Sequence, residues 1–469
     1  MQKDKKLLMV FYGDDFTGST DALEFMARAG AKTMLFMEPP SVELLSQYQN
    51  LDAIGVAGLT RSMIPEEMRR TLKEDFEKIA LLNPRHVHYK VCSTFDSSSE
   101  IGNIGVAIKE GFKQFKNRFV PILIAAPNLG RYMAFGNLFA QMGIGSDGEI
   151  FRIDQHPSMS RHPVTPATEG DLRDQLALQC DFSSGLINLL DLELSLEQLK
   201  DKLKQISKEN KIVFFDGLYE RQMKILGELL EESVEYDKSL FTIGSSGVGK
   251  ALGDYWQQKG KLNECKNWKA LKENKAVLVL SGSASPVTAD QIEYALKMGF
   301  AEVLVEPEFL EKNLEDFIIK YSDKIIQFLK KDISVIFHTS KGSNDKRLGA
   351  TKEITNRLGW DASRTRKELP AKFGKILGQT ALRVLSEVML ERLIIAGGDT
   401  SSYTARELGI NAVEMIAPLY KGAPLCKAFA MDSPINNMEI NLKGGQVGGK
   451  AYFVELQKGK IENQIKNYE

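Results

Sequence analysis

Apolar and polar positions along the chain alternate in two rhythms. Short apolar or β-branched runs ("KLLMVFYG", "KTMLFM", "LDAIGVAG", "RHVHYKVC", "VPILIAA", "GLINLLDL", "KIVFFDGL", "LFTIG") are separated by amphipathic stretches such as "STDALEFMARAG". Apolar runs bounded by turn residues predict strands, and a 3.6-residue periodicity between them predicts helices. Strand–helix alternation of this kind calls for βαβ units and a largely parallel sheet. Residues 257–275, "QQKGKLNECKNWKALKENK", break the pattern with a polar, lysine-rich stretch that predicts a linker between domains. A second series follows: "KAVLVLSG", a helix from about Pro286, "EVLVEP", "ISVIFHTS", a long helix near Ala371–Glu391, and "RLIIAGG". The expected architecture is α/β with two domains, residues 1–256 and 276–469. Each is built on a largely parallel β-sheet with flanking helices.

Composition narrows the class. A chain of 469 residues is too long for one compact core, in keeping with two domains. The formal net charge is −1, without the concentrated cationic face that a nucleic-acid backbone demands. The start, "MQKDKKLLMVFYGDD", is basic and then apolar, but two aspartates cut the apolar run short. Neither a signal peptide nor a membrane span is therefore expected. Cys92, Cys180, Cys265 and Cys426 are far apart, so no zinc site or disulfide framework is expected. The chain reads as a cytoplasmic protein.

In open α/β sheets ligands bind beyond the carboxyl ends of the strands, so the residues just after each strand carry the information. In "YGDDFTGSTDALE", Asp14 and Asp15 end the first strand and Thr17-Gly18-Ser19 opens a helix whose unpaired N–H groups favour an anion. Adjacent carboxylates there can bind a cation, accept hydrogen bonds from substrate hydroxyls, or deprotonate one. An N-cap explains one polar residue and leaves its neighbour unexplained. Ser281-Gly282-Ser283 leaves a strongly apolar strand ahead of Pro286, and small residues there admit phosphate oxygens to backbone N–H groups. Gly397-Gly398-Asp399-Thr400 repeats the arrangement, and Asp399 there either holds Mg²⁺ through water or joins Thr400 in a plain helix N-cap. Lys443 with Gly444, Gly445, Gly448 and Gly449 either lies against a nucleotide or forms a plain hairpin turn. Taken together, these turns predict a nucleotide site in the C-terminal domain. The N-terminal domain keeps the Asp pair and a polar set: Lys90, Ser93, Thr94, Asn128, Arg131, His162 and Thr165. His156 and His162 lack a metal-ligand pattern, and His162 serves either as a substrate partner or in loop packing.

One further stretch, "FTIGSSGVGKALGDYW", matches G-x-x-x-x-G-K at Gly244, Gly249 and Lys250, but Ala251 stands where a P-loop needs the Mg²⁺-binding hydroxyl. It also follows the last strand of the first domain. The reading is a βα turn in which Gly247 meets substrate through its backbone N–H. Helical spacing puts Lys250 and Asp254 on a polar face away from Val248, Leu252 and Tyr255.

"DDFTG", "HPVTP" at His162–Pro166, "SGSASPVTADQ" at Ser281–Gln291, "GGDTS" at Gly397–Ser401 and "KGGQVGG" at Lys443–Gly449 resemble the four-carbon acid sugar kinase family, in order over nearly the whole chain. The resemblance implies an N-terminal sugar-acid-binding domain, a C-terminal nucleotide-binding domain and an active site in the cleft between them. It also implies ATP and Mg²⁺ as cofactors, a homodimer, and a substrate such as threonate, erythronate, 3-oxo-tetronate or the branched 3-oxo-isoapionate. Asp15 or Asp14 would accept the proton of the terminal hydroxyl or orient it. Thr17, Lys90, Ser93, Thr94, Arg131, His162 and Gly247 would contact the acid. Ser281, Gly282, Ser283, Gly397, Gly398, Asp399, Thr400, Lys443, Gly444 and Gly445 would hold the nucleotide. Many members carry K-x-D-S-T-x-R-G-N, whereas "KVCSTFDSSSEIGNIG" has Cys92 for the Asp and lacks the Arg, so a cation from elsewhere, such as Arg131, is needed. Two rival classes are an NTPase switch using Gly244–Lys250 and a sugar-acid sensor without catalysis.

Overall fold

The computed structural model describes residues 6–142, 148–162, 164–263, 265, 268 and 270–459. Pro163 of "HPVTP" and residues 264, 266, 267 and 269 of the expected linker lie outside the described residues, as do the basic first five positions. The chain divides into two compact units, Met1–Lys266 and Asn267–Glu469.

In the first unit the strands are β1 (Met9–Gly13), β2 (Thr33–Phe36), β3 (Ala53–Ala57), β4 (His86–Lys90), β5 (Val120–Leu123), β6 (Arg131–Ala134), β7 (Asn137–Gln141), β8 (Ile150–Arg152), β9 (Ser184–Ile187), β10 (Ile212–Phe215) and β11 (Leu240–Gly244). Eight of them form a sheet in the order β2-β3-β1-β4-β11-β5-β10-β9, every pair parallel. All positions of β1 and β4 are buried, because crossover helices cover both sheet faces and leave no polar side to alternate with. The small antiparallel sheet β6-β7-β8 was not expected from the sequence. Its strands are short and half-buried on alternate positions, a weaker signal than the continuous apolar runs.

A buried carboxylate ties the first unit together. Glu231 accepts hydrogen bonds from Arg85 Nε at 2.8 Å, His86 Nε2 at 2.9 Å, Trp256 Nε1 at 3.0 Å and Lys261 Nζ at 2.7 Å. Burial pushes this carboxyl up, but the bonds from His86, Lys261 and Trp256 outweigh it and hold it well below the usual range. Because Trp256 belongs to the helix Ser246–Gln258, the network pins that helix to the start of β4.

The second unit contains β12 (Leu278–Ser281), β13 (Ala301–Leu304), β14 (Val335–His338), β15 (Arg392–Ala396), β16 (Ala412–Tyr420), β17 (Ala423–Phe429) and β18 (Glu439–Lys443). Their order is β13-β14-β12-β15-β18-β17-β16, parallel from β13 to β18 and antiparallel through β17 and β16. The core joins Val277, Val279, Ile336 and Ile394 to Ile292 and Phe453 from the covering helices. Two expectations need correcting. The long helix runs Ala362–Glu387, starting earlier than read, and accommodates Pro370 inside it at the loss of one backbone hydrogen bond. "KGGQVGG" is not a hairpin turn but leads from β18 into the helix Tyr452–Lys458. No helix among the described residues is long and apolar enough to cross a membrane.

Candidate active site

In the first unit, parallel register aligns Ala57, Gly13, Lys90, Gly244 and Leu123 across neighbouring strands. The segments that follow them therefore emerge along one edge. Asp15 is the N-cap of the helix Phe16–Arg28, its Oδ1 accepting the Gly18 N–H at 2.8 Å. The capping explanation thus holds for Asp15. The rest of the pair is explained by a residue the sequence reading missed, Arg61, in the short helical turn after β3. Its guanidinium forks onto Asp14, Nε to Oδ2 at 3.1 Å and NH2 to Oδ1 at 2.6 Å, while NH1 reaches Asp15 Oδ2 at 2.8 Å. Burial pushes Asp14 up from its ordinary value, against the pull of Arg61. The same two carboxylates, Asp14 first, drive Arg61 well above its own range despite its burial. Arg61 was findable by the rule that located the others, since it lies in the loop leaving β3.

Lys90 and Asp21 complete the cluster. A Cβ at Gly18 would lie 2.5 Å from Asp15 Oδ1, 2.8 Å from Lys90 Nζ and 3.7 Å from Arg61 NH2, so only glycine lets these groups converge. Lys90 Nζ stands 3.8 Å from Asp21 Oδ2, which also accepts the Ser246 hydroxyl. Burial raises the Asp21 carboxyl from its ordinary value, with Lys90 and Ser246 opposing. His88, beneath Lys90 on β4, is driven down to about 3 by burial and remains neutral. Thr17 flanks the cluster, half-buried in the first turn of the helix.

The remaining residues of the polar set fall into place around the segment after β4. Cys92 Sγ and Thr94 Oγ1 are 3.0 Å apart, and Ser93 between them is half-buried. Thr94 lines a small cavity with Asp96, Thr165 and Glu169. There Thr165 donates its hydroxyl to Asp96 and its N–H to His162 Nδ1 at 3.1 Å. Thr165 Oγ1 also lies 2.9 Å from Nδ1. Asn128 is exposed.

One assignment made from the sequence changes. The Gly247 N–H is not available to a ligand: Ser245 Oγ takes it at 3.1 Å, and a Cβ at Gly247 would lie 1.9 Å from the Ala125 carbonyl oxygen. Gly247 is a close-packing position. Arg131 donates from one terminal nitrogen to the carbonyls of Leu129, Gly130 and Gln141 at 3.2, 3.1 and 3.0 Å and so braces the turn into β6, while its buried Nε has no partner among the described residues. Arg61 is the cation at the carboxylate pair. Lys250 pairs with Asp254 Oδ2 at 2.5 Å and faces Glu220 at 3.6 Å, on the polar side of its helix as the spacing indicated.

The second unit repeats the arrangement. Register aligns His338, Ser281, Ala396 and Lys443, so the three glycine-rich turns leave adjacent parallel strands at one edge. A Cβ at Gly282 would strike Thr400 Cγ2 at 2.2 Å, and one at Gly445 would sit 2.7 Å from Ser283 Oγ. Gly397, at φ 146°, approaches the same place, 3.6 Å from the Ser283 nitrogen when measured from its Cβ position. Gly398 differs: its Cβ position meets nothing within 4 Å, so it borders open space at the start of the helix Asp399–Glu407. Ser281 is fully buried and braces the turn from beneath, its Oγ accepting the Ser283 N–H at 3.5 Å. Gly444 is buried, and Asp399 is half-buried beside Thr400. Lys443 is buried under Tyr452 and Phe453, and donates to Thr288 Oγ1 at 3.1 Å. Burial alone lowers it to about 7. Ser285 Oγ and Ser401 Oγ, not singled out from the sequence, are buried hydroxyls without partners among the described residues. Such a pocket of N–H groups, hydroxyls and one lysine is suited to phosphate oxygens.

Residues 9–252 match the model of a sugar-binding N-terminal domain and residues 278–453 that of a nucleotide-binding C-terminal domain. A 3-oxo-isoapionate kinase of Paraburkholderia graminis is 38% identical over 97% of this chain and 95% of its own length. A 3-oxo-tetronate kinase of Pectobacterium atrosepticum is 27% identical over 95% of this chain and 97% of its own. The crystal structure of a Haemophilus influenzae protein superposes with a TM-score of 0.68 at 20% identity, covering 96% of this chain and 99% of that one, a likeness of fold alone.

Proposed function

The chain belongs to the four-carbon acid sugar kinase family, and from that membership we propose that it transfers the γ-phosphoryl group of ATP to a terminal hydroxyl of a four-carbon sugar acid. The observation that carries the reading is the pairing of two different strand-edge sites in one chain. One is a carboxylate–guanidinium–ammonium cluster suited to a polyhydroxy acid, the other a set of small-residue turns suited to phosphates. In this reading residues 1–256 bind the acid, residues 276–469 bind the nucleotide, and the reaction brings the two ligands together. Given the 3-oxo acids on which the relatives are named to act, the substrate is a 3-oxo acid, with the branched 3-oxo-isoapionate first. The protein is cytoplasmic and, as the resemblance implies, a homodimer, which light scattering would test.

Phosphoryl transfer is mostly positioning and charge stabilisation. Asp14 and Asp15, fixed by Arg61, orient the acceptor hydroxyl. Lys90, Ser93, Thr94 and His162 offer further polar groups to the acid. The helix start at Gly398 and the Ser283 turn hold the phosphates. Magnesium, when bound, neutralises phosphate charge. Asp399, one carboxylate beside hydroxyls, is the residue suited to hold it through water, since Mg²⁺ keeps most of its ligands as water and phosphate oxygens. Incubation with ATP, Mg²⁺ and a panel of four-carbon and branched 3-oxo acids tests the proposal. Acid-dependent ADP release supports the kinase, acid-independent release supports an NTPase switch, and binding without release would mean a sensor.

Two predictions arise here. Lys250→Met should keep most kinase activity, because the ammonium is already neutralised by Asp254. Gly247→Val should cripple the protein, because its side chain must displace the Ala125 carbonyl. A dead Lys250→Met enzyme beside a healthy Gly247→Val enzyme would put ATP in the wrong unit. The second prediction concerns Lys443, whose amino group titrates at about 7 with burial as the cause. A phosphate beside it favours the charged form, so above about pH 7 ATP must bring a proton with it. ATP affinity should then weaken by up to about tenfold per pH unit on the alkaline side and level off below. Lys443→Met should lower affinity and remove that slope in calorimetry. A slope unchanged in the variant would take Lys443 out of the site.

A further inference from the structure

We propose that Asp21, rather than Asp14 or Asp15, is the carboxylate that takes the proton of the acceptor hydroxyl. This assignment rests on the kinase reading above and deepens it. The argument is one of occupied oxygens. Both oxygens of Asp14 accept from Arg61, at 2.6 and 3.1 Å. Asp15 has one oxygen on Arg61 and the other on the Gly18 N–H, each at 2.8 Å. A carboxylate with both oxygens occupied by a guanidinium or an N-cap has none turned to an incoming hydroxyl, even where burial raises its proton affinity as at Asp14. It is instead well suited to fixing geometry.

Asp21 is different. It projects from the first helix less than two turns beyond Asp15. Its Oδ2 is occupied by the Ser246 hydroxyl and faces Lys90 Nζ at 3.8 Å. Its Oδ1 has no hydrogen-bond partner among the described residues, and its side chain keeps 19% exposure, so that oxygen is open to a ligand. The groups acting on it are Lys90 from β4, Ser246 from the turn after β11, and Asp15 at the head of its own helix. The helix beginning at Ser246 packs against that helix, but its charged pair, Lys250 and Asp254, is occupied with itself. Burial, the largest influence on Asp21, raises its proton affinity, with the Lys90 ammonium and the Ser246 hydroxyl opposing.

The step balances with ATP as the only co-reactant. The hydroxyl oxygen attacks the γ-phosphorus, its bond to phosphorus forms as the bond to the β,γ-bridging oxygen breaks, and ADP departs with that electron pair. The hydroxyl proton passes to Asp21 Oδ1 and then to solvent. This also gives the P-loop lookalike a task. Ser246, inside "GSSGVGK", anchors the base, so the motif serves the acceptor side and not the phosphates.

The test is the pH dependence of turnover. In the wild type kcat should fall on the acid side as Asp21 becomes protonated. Asp21→Asn, which can still accept from Ser246, should lose roughly 10²-fold or more in kcat, keep both KM values within a few-fold, and lose the acid limb. Asp14→Asn and Asp15→Asn should keep that limb at their reduced rates, and Asp21→Glu should recover part of the rate. The melting temperature of each variant separates misfolding from lost chemistry. A folded Asp21→Asn enzyme with near-normal kcat, or one that is slow but retains the acid limb, overturns the assignment alone. A wild type without acid-dependent ADP release overturns the kinase reading and this assignment with it.

Discussion

Turnover of the Asp15→Asn enzyme is expected to fall by roughly 10²-fold or more, with little change in stability. Asparagine is as good an N-cap as aspartate, so the bond from the Gly18 N–H and the start of the helix Phe16–Arg28 survive. What goes is the charge that holds Arg61 NH1 at 2.8 Å. Arg61 then keeps only its fork on Asp14, and the acceptor hydroxyl loses one of the groups that orient it. Misplacing a reacting atom by about 1 Å can cost about 10²-fold, which sets the scale. Asp14→Asn should be at least as damaging, because Asp14 is buried and accepts both arms of the fork. Steady-state kinetics with the best acid of the panel decides the matter. If both single variants keep near-normal turnover, the acceptor does not bind at this edge of the first unit.

Gly398→Val should weaken ATP binding by roughly 10- to 10²-fold and leave acid binding nearly intact, the loss corresponding to one charge-assisted hydrogen bond of about 1.5–3 kcal/mol. The structure makes this a clean experiment. Most glycines of these turns cannot be enlarged without breaking packing: a Cβ at Gly282 would strike Thr400 at 2.2 Å, and Gly397 adopts φ 146°. Gly398 has φ −89°, and its Cβ position meets nothing within 4 Å. The Cβ of a valine there meets no protein atom within 4 Å and projects into the space where phosphate would approach the helix start. Its ψ of −111° lies outside the usual region for a β-branched residue, so the melting temperature is read beside the affinity. Calorimetry showing unchanged ATP affinity in a folded Gly398→Val protein would move the nucleotide elsewhere.

Much of the fold was legible because strands of a parallel sheet covered on both faces are continuous apolar runs, and this chain punctuates them with Gly, Asp and Ser. The strands of the first parallel sheet, β12 to β15 of the second, the helix at Pro286 and the three glycine-rich turns could be read that way. The antiparallel β6–β8 sheet could not, because short, half-exposed strands carry few apolar positions and depend on their partners for burial, and the longer β16–β17 hairpin and β18 also went unread. The start of the long helix ahead of Pro370 also escaped: its first turns are exposed, held by the Asp361 cap and the Arg364–Glu368 pair, and the proline inside the helix obscures them.

The site divides along the same line. By itself the sequence determined which residues leave the strand ends: the Asp14–Asp15 pair, Lys90, and the turns at Ser281, Gly397 and Lys443. That information is local, because a strand followed by small and polar residues presents them at its carboxyl end whatever the rest of the chain does. Only the tertiary structure decided how those residues act on one another. Parallel register brought Arg61 from the loop after β3 onto both carboxylates, and seated Ser246 of a P-loop lookalike on Asp21. It also closed Gly247 against the Ala125 carbonyl. These contacts join positions tens to hundreds of residues apart. Their charges and lone pairs are matched by sheet order and register, which no stretch of the chain encodes alone.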